Sequence, residues 1–314
     1  MKAAAFGRTA VVGAGAVGSF FGAMLARAGH AVTLIGRAAH VEAIRREGLR
    51  LQKGGRVETV RLDASTDLGA ARDAGLVLFC VKSTDTEAVA RELAPHLDPS
   101  SLVLSLQNGV ENAATLAREL RNPVVPAVVY VATAMPEPGL VAHHGRGDLV
   151  VGARIAGDAA VLARLQDLVD LFATAEVPVR ISADVMAELW SKLMVNCAYN
   201  AISGLAQTSY GRLVALPEVR ALQETVVHEI VALAAAEGVN LPLTAALDAM
   251  RGIAPAMPAQ LSSTAQDMAR GKPSEIDHLN GFVARRGREL GVPTPANQAL
   301  HALVKLVEAT RTPS

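Results

Sequence analysis

Lys192, Asn196 and Asn200 recur every fourth residue within ELWSKLMVNCAYNAISG, Glu188 to Gly204. On a helix this spacing stacks an ammonium and a pair of carboxamides along one narrow face. The residues between them, Leu193 to Val195, Cys197 to Tyr199, Ala201 and Ile202, leave the other faces nearly all apolar. A helix that apolar is expected to be buried. Its polar stripe must then meet a cleft, a ligand or water that can satisfy it. A stripe facing bulk water is the simpler reading of such spacing; the width of the dry side argues for a cleft. A partly desolvated lysine in a cleft is a candidate proton donor.

Gly13-Ala14-Gly15-Ala16-Val17-Gly18 forms a second constellation, preceded by the β-branched and apolar run Thr9 to Val12 and followed by a helical pattern over Ser19 to Ala28. Strand, glycine turn and helix in this order set a pyrophosphate against a helix N-terminus. Gly13 permits the turn, Gly15 admits the phosphates, and Gly18 lets helix and strand pack closely. The next strand, His30 to Ile35, ends in Gly36-Arg37 where a site selecting NAD would carry Asp or Glu. The Arg37 guanidinium suits a 2′-phosphate, so NADP is the expected cofactor. Arg45 and Arg46 read as solvated residues of the following helix.

The elements that must position these groups can be read in order. Leu76 to Val81 is a continuous apolar run, as in a central parallel strand, and it ends at Lys82 on the ligand-binding edge. Leu102 to Leu106 ends the same way, in Gln107-Asn108-Gly109, so Asn108 is either a turn residue or a ribose or substrate contact. Leu49 to Gln52 and Val57 to Leu62 flank Lys53-Gly54-Gly55-Arg56 as a hairpin. Pro123 to Thr133 is β-rich, Met135 to Gly139 reads as a turn, and Leu140 to His144 with Asp148 to Val151 as another hairpin. His143 and His144 point to opposite faces of a strand with no third ligand nearby, so no metal is expected. After a helix over Asp158 to Ala173 and a strand over Val177 to Ile181, strand signals stop. The expected architecture is therefore α/β: a Rossmann-like dinucleotide-binding domain over residues 1–183, then an all-helical domain over 184–314.

In the helical half, helices are predicted for Pro217 to Ala236, Leu243 to Arg251, Ser263 to Arg270, Ser274 to Leu290 and Pro295 to Thr310. Ser263 suits an N-cap with Gln266 as its capping-box partner, and equally a contact to a substrate carboxylate. Glu275 opens the next helix and gains from its dipole; spacing alone does not rank it above Asp277.

Bulk properties exclude other classes. The 314 residues carry 30 basic and 30 acidic side chains, so neither nucleic acid nor an anionic membrane is an expected partner. The cysteines, Cys80 and Cys197, lie in apolar runs and suit a reduced compartment without disulfides. Glycines and Arg8 break up the only stretch resembling a signal peptide, and no apolar run spans a bilayer. A cytoplasmic location is expected.

GAGAVG, LVLFCVKSTDT, SLQNGVEN, ELWSKLMVNCAYNAISG and SSTAQDMARGKPSEIDHLNG together resemble the ketopantoate reductases (2-dehydropantoate 2-reductases) along nearly the whole chain. The resemblance implies NADPH-dependent reduction of the 2-oxo group of ketopantoate, a step of pantothenate synthesis. It implies cofactor contacts from Gly13 to Gly18, Arg37, Lys82 and Asn108, with Met135 on the nicotinamide side. Lys192 takes the place of the proton donor, and Asn196, Asn200, Ser263 and Gln266 those of substrate contacts. Glu275 takes the place of the acid near the substrate hydroxyl and cofactor ribose. A further substrate-binding asparagine of the family falls on Tyr210, and Ala201-Ile202-Ser203-Gly204 replaces the usual Pro-Leu-Thr-Ala. These departures leave open another branched 2-oxo acid as substrate; an NADPH-binding sensor without turnover is the alternative outside enzymes. The helical half could form a homodimer.

Overall fold

A computed structural model describes residues 6–310. Its contacts divide the chain into two compact units, Met1–Val185 and Met186–Ser314.

In the first unit the run before the glycines is β1 (Arg8–Val12), followed by α1 (Ala16–Arg27), β2 (Val32–Ile35) and α2 (Ala38–Glu47). Then come β3 (Leu49–Lys53), β4 (Arg56–Val60), β5 (Asp63–Ser65), β6 (Ala74–Phe79), α3 (Thr86–Leu93), β7 (Leu102–Ser105) and α4 (Asn112–Glu119). The unit closes with β8 (Val124–Glu137), β9 (Leu140–Val151), α5 (Ala159–Thr174) and β10 (Val179–Ile181). Across the sheet the order is β4-β3-β9-β8-β7-β6-β1-β2-β5, with β10 pairing β9 off this path. β1 is parallel to both β2 and β6. The chain thus leaves β1 toward one side and returns on the other, and the crevice beyond the carboxyl ends at such a reversal is where open α/β sheets take ligands.

Alternate residues of the inner strands enter separate cores. Val11, Leu76, Leu78 and Leu104 join α1 and α5 on one face, while Val12, Val77, Phe79 and Val103 join α3 and α4 on the other. Both faces are covered, which is why these strands read as unbroken apolar runs.

The hairpin expected within 140–151 is instead the single strand β9, antiparallel to β8. Gly145-Arg146-Gly147, between the two runs expected to pair, is an irregularity in the ladder, where the register shifts between Tyr130 and Val131. Arg146 sits there at φ +55°, its guanidinium 4.1 Å from the Tyr130 ring centroid and 2.7 Å from Asp148. Met135, Pro136 and Glu137, expected in a turn, continue β8. The helix expected from Ser19 starts at Ala16, so Gly18 lies in its first turn.

The second unit holds α6 (Val185–Ala206), α7 (Tyr210–Leu213), α8 (Pro217–Ala236), α9 (Leu243–Ala256), α10 (Ser263–Ala269), α11 (Asn280–Leu290) and α12 (Pro295–Thr310), with no strand among its described residues. Prolines at the first positions of α8 and α12 cost no helix hydrogen bond. The helix expected from Ser274 begins only at Asn280, after a single 3-10 turn over Ile276–His278. The Ser274 amide and hydroxyl instead donate to Glu308 of α12, at 2.8 and 2.6 Å. Glu275 therefore precedes one short turn and not an α-helix, so the expected dipole contribution is lost. No helix among the described residues is long and apolar enough to cross a membrane.

Candidate active site

Within the first unit the glycine turn is built by close backbone approach. Gly13 has φ +107°, and a Cβ there would lie 2.6 Å from the Cys80 carbonyl carbon. A Cβ on Gly18 would lie 2.2 Å from the Gly13 carbonyl oxygen. Both positions therefore exclude any side chain. Gly15 differs: a Cβ there would meet nothing within 4 Å, and it precedes α1 without any side-chain cap on the first-turn amides. Open space over uncapped amides at the start of a 12-residue helix fits a pyrophosphate. Gly36 brings the tip of β2 beside this turn, since a Cβ on it would stand 2.6 Å from the Ala14 Cβ.

Arg37 follows Gly36 with its side chain 87% exposed and 3.8 Å from Asp85. So long and exposed an ion pair holds the guanidinium weakly, which leaves it able to take a phosphate. Arg45 donates to the Ala64 carbonyl at 2.9 Å, and Arg46 pairs with Glu47.

Lys82 and Asn108 stand on loops joined by a buried polar network that the sequence did not reveal. Asn112 Nδ2 donates to the Asn108 carbonyl at 2.6 Å and to Ser83 Oγ at 3.1 Å. Gln107 Nε2 donates to the Val81 carbonyl at 3.0 Å and to Thr86 Oγ1 at 2.7 Å, and Thr86 donates in turn to Asn112 Oδ1 at 2.9 Å. The closely spaced polar residues of VKSTDT and LQNGVEN were the available signal. Met135 packs part-buried against the core, and the His143 ring stacks on Phe20 at 4.6 Å.

Within the second unit α6 buries Leu193, Met194, Cys197, Ala198 and Tyr199 completely or nearly so, leaving Lys192 and Asn196 half-buried and Asn200 4% exposed. Three backbone carbonyls of this helix each accept an extra hydrogen bond from a buried side chain. Asn280 donates to Cys197 at 3.2 Å, Gln223 to Ala198 at 3.1 Å and Ser262 to Asn200 at 3.2 Å. Asn280 also donates to Asn297 Oδ1 at 2.9 Å, and Asn297 donates to Glu229 at 2.7 Å. Glu229 caps the first turn of α12 by accepting from the Ala296 and Asn297 amides. The stripe-bearing helix is thus tied to α8, α11 and the start of α10.

The cap of α10 is Ser262, which accepts from the Ala265 amide at 3.0 Å, and not Ser263. Ser263 is exposed, and Gln266, one residue beyond the capping-box position, donates to the Leu261 carbonyl at 3.2 Å. Tyr210 is 8% exposed and its hydroxyl donates to Asn200 Oδ1 at 3.3 Å. Burial, with Tyr199 adjoining, pushes its pKa up, so it remains a phenol. Asp277 is engaged by His301 at 2.6 Å and Lys305 at 2.9 Å. Burial raises its pKa, but these bonds outweigh that and hold it below the ordinary value. Glu275 is half-buried. Burial pushes the thiols of Cys80 and Cys197 up, so neither offers a thiolate. Among the described residues no group of three His, Cys, Asp or Glu could hold a metal ion.

The family described as ketopantoate reductase PanE/ApbA matches residues 9–155, and its C-terminal counterpart matches residues 184–308. The 2-dehydropantoate 2-reductase of Halobacterium salinarum is 35% identical over 96% of this chain and 99% of its own length. That of Vibrio cholerae is 32% identical over 95% of this chain and 97% of its own. The crystal structure of a PanE/ApbA family ketopantoate reductase from Ralstonia eutropha JMP134 is 54% identical, with TM-score 0.89 over 96% of this chain and 98% of that one.

Proposed function

Since the chain belongs to the ketopantoate reductase family, we propose that it reduces the 2-oxo group of 2-dehydropantoate with NADPH in pantothenate biosynthesis. The observation that carries this reading is that relatives named for that reaction match both units at nearly full length.

Bound NADPH supplies the hydride. The chain's own residues handle charge and position. The glycine turn from Gly13 through Ala14, Gly15, Ala16 and Val17 to Gly18 takes the pyrophosphate, Arg37 the 2′-phosphate, and Lys82, Asn108 and Met135 the remaining cofactor. Lys192 as an ammonium hydrogen-bonds the substrate oxygen while negative charge develops there, then gives it a proton. Asn196 and Asn200 orient the substrate without adding charge, and Ser263 and Gln266 meet its carboxylate. Glu275 serves as the acid of the late segment, and Asp277 is held by His301 and Lys305.

A second reading, reduction of another branched 2-oxo acid, is favoured by Tyr210, which is nearly buried against Asn200. Homodimer formation is read from Leu303 and Leu306 of α12, 49% and 58% exposed; a monomer by sedimentation would reject it. A cytoplasmic location is read from the pair of free cysteines. The deciding experiment follows loss of NADPH absorbance with 2-dehydropantoate beside other 2-oxo acids. Greatest kcat/KM for 2-dehydropantoate is expected, and absence of turnover with every acid would remove the enzymatic reading.

A further inference from the structure

Asn200 is a carboxamide with its ends in unequal situations. Its Oδ1 accepts from the Tyr210 hydroxyl at 3.3 Å, whereas its Nδ2 donates to no described residue and is not sealed from solvent, although the residue as a whole is only 4% exposed. Tyr210 is itself held in place. Its ring lies 4.7 Å from that of Tyr199, its amide donates to the Gln260 carbonyl at 3.0 Å, and the next amide, Gly211, donates to the Pro258 carbonyl at 2.9 Å. The Asn200 backbone is fixed as well, through the Ser262 hydroxyl. The amide end that faces the phenol is Oδ1, and a phenol kept protonated by burial keeps its O–H as a donor to that oxygen at all working pH values.

We infer that Tyr210 is a positioning residue that holds the Asn200 carboxamide in one orientation, so that only its N–H end is offered to the substrate. Resting on the proposed reductase reading, this makes the Asn200 N–H end a contact for an oxygen acceptor, the carboxylate or oxo oxygen of a 2-oxo acid. It does not take up a substrate hydroxyl as a donor.

The test is steady-state kinetics with NADPH and 2-dehydropantoate on Tyr210→Phe, Asn200→Ala, their double variant and Asn200→Asp, with Tm and the KM for NADPH recorded for each. Tyr210→Phe keeps the ring and should raise the KM for the 2-oxo acid roughly 3- to 10-fold, the size of one lost hydrogen bond, with a smaller change in kcat. In the Asn200→Ala background the same change should have no further effect. Asn200→Asp reads the polarity without touching the tyrosine: a carboxylate facing a substrate oxygen should leave kcat/KM about tenfold or more below that of Asn200→Ala. Equal effects of Tyr210→Phe in both backgrounds would overturn the inference, as would an Asn200→Asp enzyme as active as Asn200→Ala. Failure of the wild-type chain to oxidise NADPH with any 2-oxo acid would overturn the reductase reading together with this one; turnover with additive variants would overturn the role of Tyr210 alone.

Discussion

Lys192 supplies the one positive charge of its stripe, and its role is open to direct measurement. Lys192→Ala should lower kcat by about 100-fold or more, the usual size of a general-acid contribution, while NADPH binding by fluorescence stays intact. Unaltered turnover would take this lysine out of the mechanism. Arg37→Ala should weaken NADPH far more than NADH, because only the former carries a phosphate for a guanidinium to meet; equal losses would place phosphate recognition elsewhere. Asp277 has a depressed pKa, so its contribution to stability is present above the unfolded carboxylate value of about 4 and is lost as pH falls through the folded value. Asp277→Asn should accordingly lower Tm at neutral pH by a small amount, its side chain being 45% exposed. That difference should vanish in acid, and a pH-independent gap would mean the bonds to His301 and Lys305 are not the cause.

At the scale of elements, α6 owes its placement to bonds received by its carbonyls as much as to its apolar faces. Asn280→Ala removes the donor to Cys197 and leaves Asn297 Oδ1 unpaired in the interior. A loss of about 1–3 kcal/mol by denaturant titration is expected, with kcat falling as the helix bearing Lys192 loosens. Gly18→Ala would push a methyl group to 2.2 Å from the Gly13 carbonyl and should abolish cofactor binding or folding; a stable variant with wild-type NADPH affinity would contradict the close packing of α1 on β1. Much of this level was legible beforehand. Period-four polar residues in an apolar stretch gave α6, and Pro217 and Pro295 marked their helix starts. The cap of α10 was not legible, because Ser262 and Ser263 are equivalent neighbours in sequence. Ser262 alone meets both the Ala265 amide and, across 62 positions, the Asn200 carbonyl. The irregularity in β9 was not legible for a similar reason: Gly-Arg-Gly suits a hairpin connection or a bulge alike, and the partner strand decides.

At the scale of the molecule, equal numbers of acidic and basic side chains give a sequence pI of about 7.1. Solubility at low salt should pass through a minimum near neutral pH, measurable by light scattering, since net charge there no longer keeps copies apart. What the sequence determined by itself was local and periodic: the glycine turn with its flanking strand and helix, the cation at the tip of β2, the stripe on α6, and the change from mixed to helical structure. Such features depend on residues within a few turns of one another, whose spacing imposes geometry directly. Only the tertiary structure decided which polar groups serve the fold and which remain for a ligand. Asp277 went to His301 and Lys305, Ser262 to the cap, and Asn112 to the loops behind Lys82 and Asn108. A buried donor or acceptor must find its partner wherever the packed chain brings one, and those partners are separated by distances in sequence that no local pattern encodes.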